Sequence, residues 1–253
     1  MNSTGNTILI TGGGSGIGQG LAERFHALGN QVIICGRNKK TLDQTKAANS
    51  GMQSLTLDIE NADEIRSFAA QIAKDFPTLN VVVHNAGIMR VENLKDQTQD
   101  VSDSEAMIAT NLLGPIRLNA ALLPLLRSQA KSTIMMVSSG LAFVPLAITP
   151  TYCATKAAMH SYTQSLRLQL AGTTTEVMEL IPPYVQTQLM GKHQAEDPHA
   201  MPLKEFLDEV MQIITNQPSA MEICVERVKT LRYASEGGNF ENIFKGLNQA
   251  FAG

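Results

Sequence analysis

The feature that most constrains this chain is a repeated change in the period of its hydrophobic residues. Short, continuously apolar runs rich in β-branched residues alternate with stretches of helical period. The runs are "TILIT" (7–11), "QVIIC" (31–35), "SLTL" (54–57), "NVVVH" (80–84), "TIMMV" (133–137), "EVMELI" (176–181) and "MEICV" (221–225). The helical stretches fall near 16–29, 39–49, 62–76, 103–128 and 153–171. A strand that is apolar on both faces must be covered on both, which describes a parallel sheet between helical layers. The expectation is an α/β fold, a single doubly wound domain with a mostly parallel seven-stranded sheet. Asn61 with Glu64, and Ser102 with Glu105, have capping-box spacing at two helix starts. The segment 186–219, with Pro198, Pro202 and Pro218, follows the sixth strand and is read as a small lid at the ligand end of the sheet.

Composition removes several function classes. A net charge of −3 with no basic run argues against nucleic acid as a partner. The three cysteines, Cys35, Cys153 and Cys224, are widely spaced and form no CxxC pair, so neither a disulfide framework nor a zinc site is expected. The first residues lack a basic, apolar leader pattern, and "TIMMVSSGLAFVPLAITP" is broken by serines, a glycine and prolines, so no membrane partner is expected. These traits describe a cytoplasmic protein that needs no metal.

The first strand runs straight into "TGGGSGIGQG" and then a helix. Gly12, Gly16 and Gly18, with Ser15 and Ile17 between them, give a turn in which backbone N–H groups and a helix N-terminus face a pyrophosphate that a Cβ would obstruct. The spacing is TGxxxGxG, not GxGxxG, and its strand–turn–helix setting supports a dinucleotide site. The second strand ends "CGRN". An acidic residue there would bind a ribose 2′-hydroxyl; Gly36 and Arg37 stand instead, and a guanidinium suits a 2′-phosphate. NADP(H) is therefore expected over NAD(H). Asp58, after the third strand, is a candidate for the adenine amine. "HNAG" ends the fourth strand, where Asn85, Ala86 and Gly87 make a small-residue turn that a nicotinamide ribose can approach.

The run "TYCATKAAMHSY" (151–162) places Tyr152 four residues before Lys156, on one face of a helix. A nearby ammonium favours the phenolate, so Lys156 is expected to lower the Tyr152 pKa and make it a general acid or base. "VSSG" (137–140) ends a strand and offers Ser138 or Ser139 to a substrate oxygen. Pro115 has no N–H for the carbonyl four residues before it, that of Asn111, which a kinked helix would free to hold a water in a relay toward Lys156.

Taken together, TGGGSGIG, HNAG, Asn111, VSSG and YCATK resemble the short-chain dehydrogenase/reductase family over nearly the whole chain. The resemblance implies a Rossmann sheet and hydride transfer between a nicotinamide and a carbonyl or alcohol carbon of a small molecule. It implies that Tyr152 moves the proton and that Ser139, by its spacing from Tyr152, orients the substrate oxygen. By the same likeness Lys156 lowers the tyrosine pKa and holds the nicotinamide ribose, Asn111 completes the relay, and Thr187 contacts the carboxamide. Within the family, "SSGLAFVPL", "YCATKAAMHS" and Pro182-Pro183 are nearest the DltE-type oxidoreductases, a label that names no substrate. The double proline replaces the usual Pro-Gly. Phe240, Ile243, Phe244, Leu247 and Phe251 repeat at helical spacing near 239–251, and this C-terminal helix is expected to pack on the body or on a neighbouring subunit. It differs from the glycine-rich terminus of many tetrameric members, which favours a homodimer through the helices at 103–128 and 153–171. Phe143, Val144, Pro145, Tyr184, Leu189 and Met190 are candidates for an apolar pocket, and Cys153 is read as a small buried residue. An NADP(H)-sensing protein that regulates a partner without turnover is the alternative; the complete Ser–Tyr–Lys set speaks for catalysis.

Overall fold

The computed structural model describes residues 1–96 and 100–251. The seven strands are β1 (Thr7–Thr11), β2 (Gln31–Gly36), β3 (Gln53–Thr56), β4 (Val81–His84), β5 (Ser132–Val137), β6 (Thr175–Ile181) and β7 (Glu222–Cys224). They form one sheet in the order β3-β2-β1-β4-β5-β6-β7, with every pairing parallel. Helices α1 (Gly16–Ala27), α2 (Lys39–Ala48), α3 (Ala62–Asp75), α4 (Ser102–Ile108), α5 (Gly114–Ser128) and α6 (Pro150–Gln169) supply the crossovers through β6. After β6 come α7 (Lys192–Glu196) and α8 (Leu203–Asn216), and after β7 come α9 (Lys229–Arg232) and α10 (Phe240–Ala250).

Successive side chains of a strand point to opposite faces, and the two cores follow from that alternation. Ile8 and Ile10 pack with Leu21 and Phe25 of α1 and with Phe206 and Val210 of α8. Leu9, between them, joins Phe68 and Ile72 of α3 and Leu118 and Leu122 of α5 on the other face. The run Ser102–Ser128 is apolar and long enough to cross a membrane by length and composition alone; here Leu118, Leu122 and Leu126 are buried against α3 and the sheet. The sheet reverses direction of growth at β1, which pairs with β2 on one side and β4 on the other. Ligand crevices of doubly wound folds open at this reversal, beyond the carboxyl ends of the strands.

Three expectations change. The helix read as continuous over 103–128 is interrupted by a π turn at Ala109–Leu113, where the Gly114 N–H bonds the Ala109 carbonyl. Pro115 follows at once and supplies no N–H, so the ladder widens there. The capping boxes are incomplete. Asn61 accepts from the Asp63 and Glu64 N–H groups at 3.0 and 3.2 Å, but its own N–H is spent on the Asp58 carbonyl, and Glu64 reaches the Asp58 N–H instead. Ser102 is not the cap but the first residue of α4: Val101 stands at the cap position, and the Ser102 N–H donates to the Asp100 carboxylate at 2.9 Å.

The lid is also shorter than 186–219. Residues 184–194 contribute to the wall of a cavity described below, whereas α8 is a core helix. Its Phe206, Leu207, Val210 and Ile214 are buried, and Arg24 of α1 pairs with Asp208 at 2.7 Å. Phe206→Ala is accordingly expected to cost about 3–5 kcal/mol in urea unfolding; a residue on a peripheral lid would cost under ~1 kcal/mol.

Candidate active site

The ends of β1 and β4 are joined by one hydroxyl. Thr11 Oγ1 accepts from the Asn85 and Ala86 N–H groups, both at 3.0 Å, and the Asn85 amide donates to the Thr11 carbonyl at 3.0 Å. The glycine-rich turn and the HNAG turn therefore lie in contact. Gly12 has φ +68°, and a Cβ on it would fall 2.9 Å from Asn85 Nδ2. At Gly18 a Cβ would fall 2.4 Å from the Gly12 carbonyl oxygen. Glycine is required at both by this apposition. Ser15 precedes the first turn of α1, whose N–H groups have no partner within the helix. Ile17 is partly buried, its side chain packed against the core. Thr187 stands across the opening, its Cβ 3.6 Å from the position a Cβ on Gly16 would take.

These turns line a cavity that continues to Arg37 and Asn38 and along Ala86 and Gly87. Bare backbone, a helix N-terminus and a guanidinium at the far rim fit an extended phosphate-bearing nucleotide. Arg37 is half exposed and pairs with Glu60 at 2.9 Å, and Glu60 also accepts from Thr110 Oγ1 at 2.7 Å. Asp58 does not line the cavity, although Leu57 and Ile59 do; its carboxylate accepts from the Glu60 N–H at 3.0 Å and shapes the turn.

At the other end of the crevice, Ser139, Tyr152 and Lys156 are brought together and buried. Ser139 ends the turn after β5, with its Oγ accepting from the Leu141 N–H at 3.1 Å, and it lines the same cavity as Tyr152. Ser138 points elsewhere: it is buried outside the cavity that Ser139 and Tyr152 line, with no partner for its hydroxyl among the described residues. Lys156 Nζ donates to the Val137 carbonyl at 2.8 Å and lies 5.6 Å from the centroid of the Tyr152 ring. Asn111 is close by. Its amide oxygen accepts from the Ile88 N–H at 2.9 Å, and its amide nitrogen donates to the Ile88 carbonyl at 2.9 Å and to Thr155 Oγ1 at 3.2 Å. The side chain is therefore a clamp, and what Asn111 has left for a relay is its main-chain carbonyl, in the π turn.

The electrostatics correct one expectation. The Tyr152 pKa is not lowered overall; burial raises it, and the interaction with Ser139 only partly opposes the rise. Burial likewise lowers Lys156 to about 8, against the pull of Glu179. Each group is disfavoured in its charged form by removal from water, and that outweighs their mutual attraction. At rest the tyrosine is a protonated phenol.

Beyond Ser139, Tyr152 and Gln194 the cavity is mainly apolar. Tyr184, Leu189 and Met190 line it as expected, together with Pro182 and Pro183. Phe143, Val144 and Pro145 do not. Val144 is core, Phe143 packs edge-on against His160 at 4.6 Å, and the Pro145 carbonyl accepts from Asn248 at 3.1 Å. Their place is taken by Leu141 and Leu146, and by Leu247 and Phe251 from the C-terminal helix. That helix packs on the body, pinned where Asn248 accepts from the Ala147 N–H at 2.6 Å. Cys153 is buried, its sulfur accepting from the Leu146 N–H at 3.3 Å. Thr11, Glu60 and Thr155 escaped the sequence reading; only Thr11, which opens the glycine motif, carried a signal there.

Comparison with known proteins agrees with this geometry. The family model described as short chain dehydrogenase matches residues 6–198. An uncharacterized oxidoreductase of Bacillus subtilis, DltE, is 38% identical over 251 residues, 98% of each chain. A short chain dehydrogenase from Burkholderia cenocepacia in complex with NADP superposes with a TM-score of 0.81 at 21% identity, covering 98% of this chain and 99% of that one. One from Burkholderia phymatum in complex with NAD gives 0.78 at 19% identity, covering 95% and 96%.

The apposition at Gly18 makes a direct test. Gly18→Ala is expected to weaken NADPH binding at least about tenfold in a calorimetric titration, since the added carbon drives the two turns apart at the cradle.

Proposed function

The chain belongs to the short-chain dehydrogenase family, and from that premise we propose an NADP(H)-dependent oxidoreductase that interconverts a small or medium uncharged carbonyl compound and its secondary alcohol, with Tyr152 as general acid or base. The observation that carries the reading is the placement of Tyr152, beside Ser139 and flanked by Lys156, on the wall of a mainly apolar cavity. The nicotinamide, when bound, supplies or takes up the hydride. The rest is done by the chain. Ser139 donates to the substrate oxygen and orients it. Tyr152, held as a phenol by burial, gives that oxygen a proton in the reducing direction. Lys156, still an ammonium at neutral pH, then stabilises the phenolate and holds the ribose hydroxyls. The Asn111 carbonyl is where a water would return a proton toward Lys156. Among the described residues no side chain lining the cavity carries a charge, which favours neutral substrates over keto-acids or phosphorylated sugars.

The NADP(H) preference rests on Arg37 at the rim of the nucleotide cavity, with Gly36 presenting no carboxylate. A 2′-phosphate would draw the guanidinium from its exposed pairing with Glu60, which is worth little in water. We also propose a cytoplasmic homodimer. The three free thiols suit a reducing compartment, and Ile108, Leu113 and Leu168, exposed along the two long helical segments, suit a subunit contact.

Three outcomes test the proposal. With NADPH and a panel of aldehydes and ketones, Tyr152→Phe is expected to lower kcat by about 100- to 10,000-fold while NADPH binding persists. In the wild type, Lys156 is charged below about 8 and neutral above it, so kcat for reduction is expected to hold at neutral pH and fall as pH rises through that value. For the cofactor, Arg37→Ala is expected to reduce kcat/KM for NADPH by about 10- to 100-fold and to leave that for NADH nearly unchanged; an unaltered NADPH preference would refute the assignment.

A further inference from the structure

One charged cluster lies behind the proposed catalytic pair and takes no part in the chemistry described so far. Glu179 stands in the middle of β6, in the apolar run "EVMELI", and is fully buried. Both of its carboxylate oxygens meet His160 Nδ1, at 3.0 and 2.8 Å. His160 lies one turn beyond Lys156 on α6, and residues four apart on a helix share a face. The buried carboxylate therefore lies beneath the turn of α6 that carries Lys156. Its field favours the ammonium of Lys156 and opposes the effect of burial.

The neighbouring charges do not neutralise Glu179. Glu222 of β7 is held at both oxygens by Arg232 of α9, at 2.7 and 3.0 Å. The same guanidinium donates to Glu236 at 2.7 Å and stacks over Phe143 at 4.7 Å. Cys224 of β7, beside Glu222, is pushed up to about 12 by burial and stays a thiol. His160, Glu179 and Glu222 bring three ligand atoms within 4.8 Å of one another, yet Arg232 already serves as the cation there. The groups facing Glu179 are thus Lys156 and His160 from α6 and the Glu222–Arg232 pair with Cys224 from the far edge of the sheet. A carboxylate sealed in a core is costly to bury, so its presence beneath α6 calls for another role.

We propose that Glu179 is a positioning residue for the active site, a buried carboxylate locked by His160 whose negative charge keeps Lys156 an ammonium beside Tyr152. The inference rests on the oxidoreductase reading for its consequence and on the Glu179–His160 geometry for its cause. Without that charge, the desolvated lysine gives up its proton at lower pH, and the alkaline limb of the reduction profile moves into the neutral range.

The test reads Lys156 directly. The full chain is labelled at lysine Cε with carbon-13 and titrated by NMR, the Lys156 signal being assigned by its loss in Lys156→Arg. In Glu179→Gln, which keeps the shape and a hydrogen bond to His160, the midpoint is expected to fall by about one pH unit or more. In Glu222→Gln, whose charge is already matched by Arg232, it is expected to stay within about 0.3 unit. Should Glu179→Gln fold poorly, Glu179→Asp keeps the charge one methylene farther away and is expected to give a smaller fall. An unchanged midpoint in a folded Glu179→Gln, or in Glu179→Asp in its place, overturns the proposal, because a carboxylate that only supports the fold moves the melting temperature and not this titration. The titration needs no turnover. A shifted midpoint in a protein inert toward every carbonyl would leave the positioning role standing and sink the oxidoreductase reading, and active enzyme with an unshifted midpoint would do the reverse.

Discussion

The site depends on the contact between two strand ends at the point where the sheet reverses. β1 has β2 on one side and β4 on the other, so the chains leaving β1 and β4 would diverge if nothing tied them. Thr11 ties them, its hydroxyl oxygen taking two main-chain N–H groups of the HNAG turn while Asn85 returns a bond to the Thr11 carbonyl. Backbone is thereby packed on backbone, and a side chain at Gly12 or Gly18 has nowhere to go. The small residues of the glycine-rich turn answer first to this internal contact; the bare wall offered to a phosphate is its by-product. A cradle formed by the fold is rigid before a ligand arrives, and little ordering is left for binding to impose.

The second joint is Asn111. Its amide clamps both polar groups of Ile88, just beyond the HNAG turn, and reaches Thr155 between the proposed catalytic residues Tyr152 and Lys156. One side chain thus couples the extension of β4, the helical pair α4–α5 and the catalytic helix α6. The π turn makes this reach compatible with a helix that also has to pack on α3: an extra residue is accommodated just where Pro115 leaves a carbonyl without its usual partner. The same residue thereby serves structure with its side chain and the proposed relay with its backbone.

The parts of this arrangement that were legible in the sequence are those fixed by short-range physics. The apolar runs located each strand to within a residue or so, because a strand covered on both faces is apolar along most of its length. The glycine turn was legible because its steric demand is local, and the Tyr152–Lys156 pair because one helix carries both. What could not be read depends on distant partners. Leu247 and Phe251 show helical spacing, but nothing in that spacing says they face Leu146 and Tyr152. The stripe on α8 suits a lid as well as a core helix, and only its packing against α1, where Leu207 lies over Gly20, decides between them. The Glu60 partner of Arg37 lies twenty-three residues on, after another strand. Spacing placed Lys156 beside Tyr152 without revealing how deeply both are buried, and the sign of the tyrosine shift turned on that.

Burial of the pair has its own logic. A phenol and an amine kept from water each resist ionisation, so neither carries a charge cheaply by itself. Yet the low dielectric that penalises a lone ion also strengthens attraction between two, and hydrogen bonds to ions are stronger there than in water. The phenolate is tolerable only while the ammonium stands beside it, which links loss of the tyrosine proton to the protonation state of Lys156. Preorganised charge of this kind acts where charge develops and requires little rearrangement of solvent. A carboxylate set behind the lysine, out of reach of both substrate and water, extends that principle one layer deeper. Buried Glu179 cannot touch the reaction, but it biases which member of the pair is charged before the reaction begins. The balance of the site is then a sum of three buried groups, and the pH range in which it works depends on a strand residue that no motif contains.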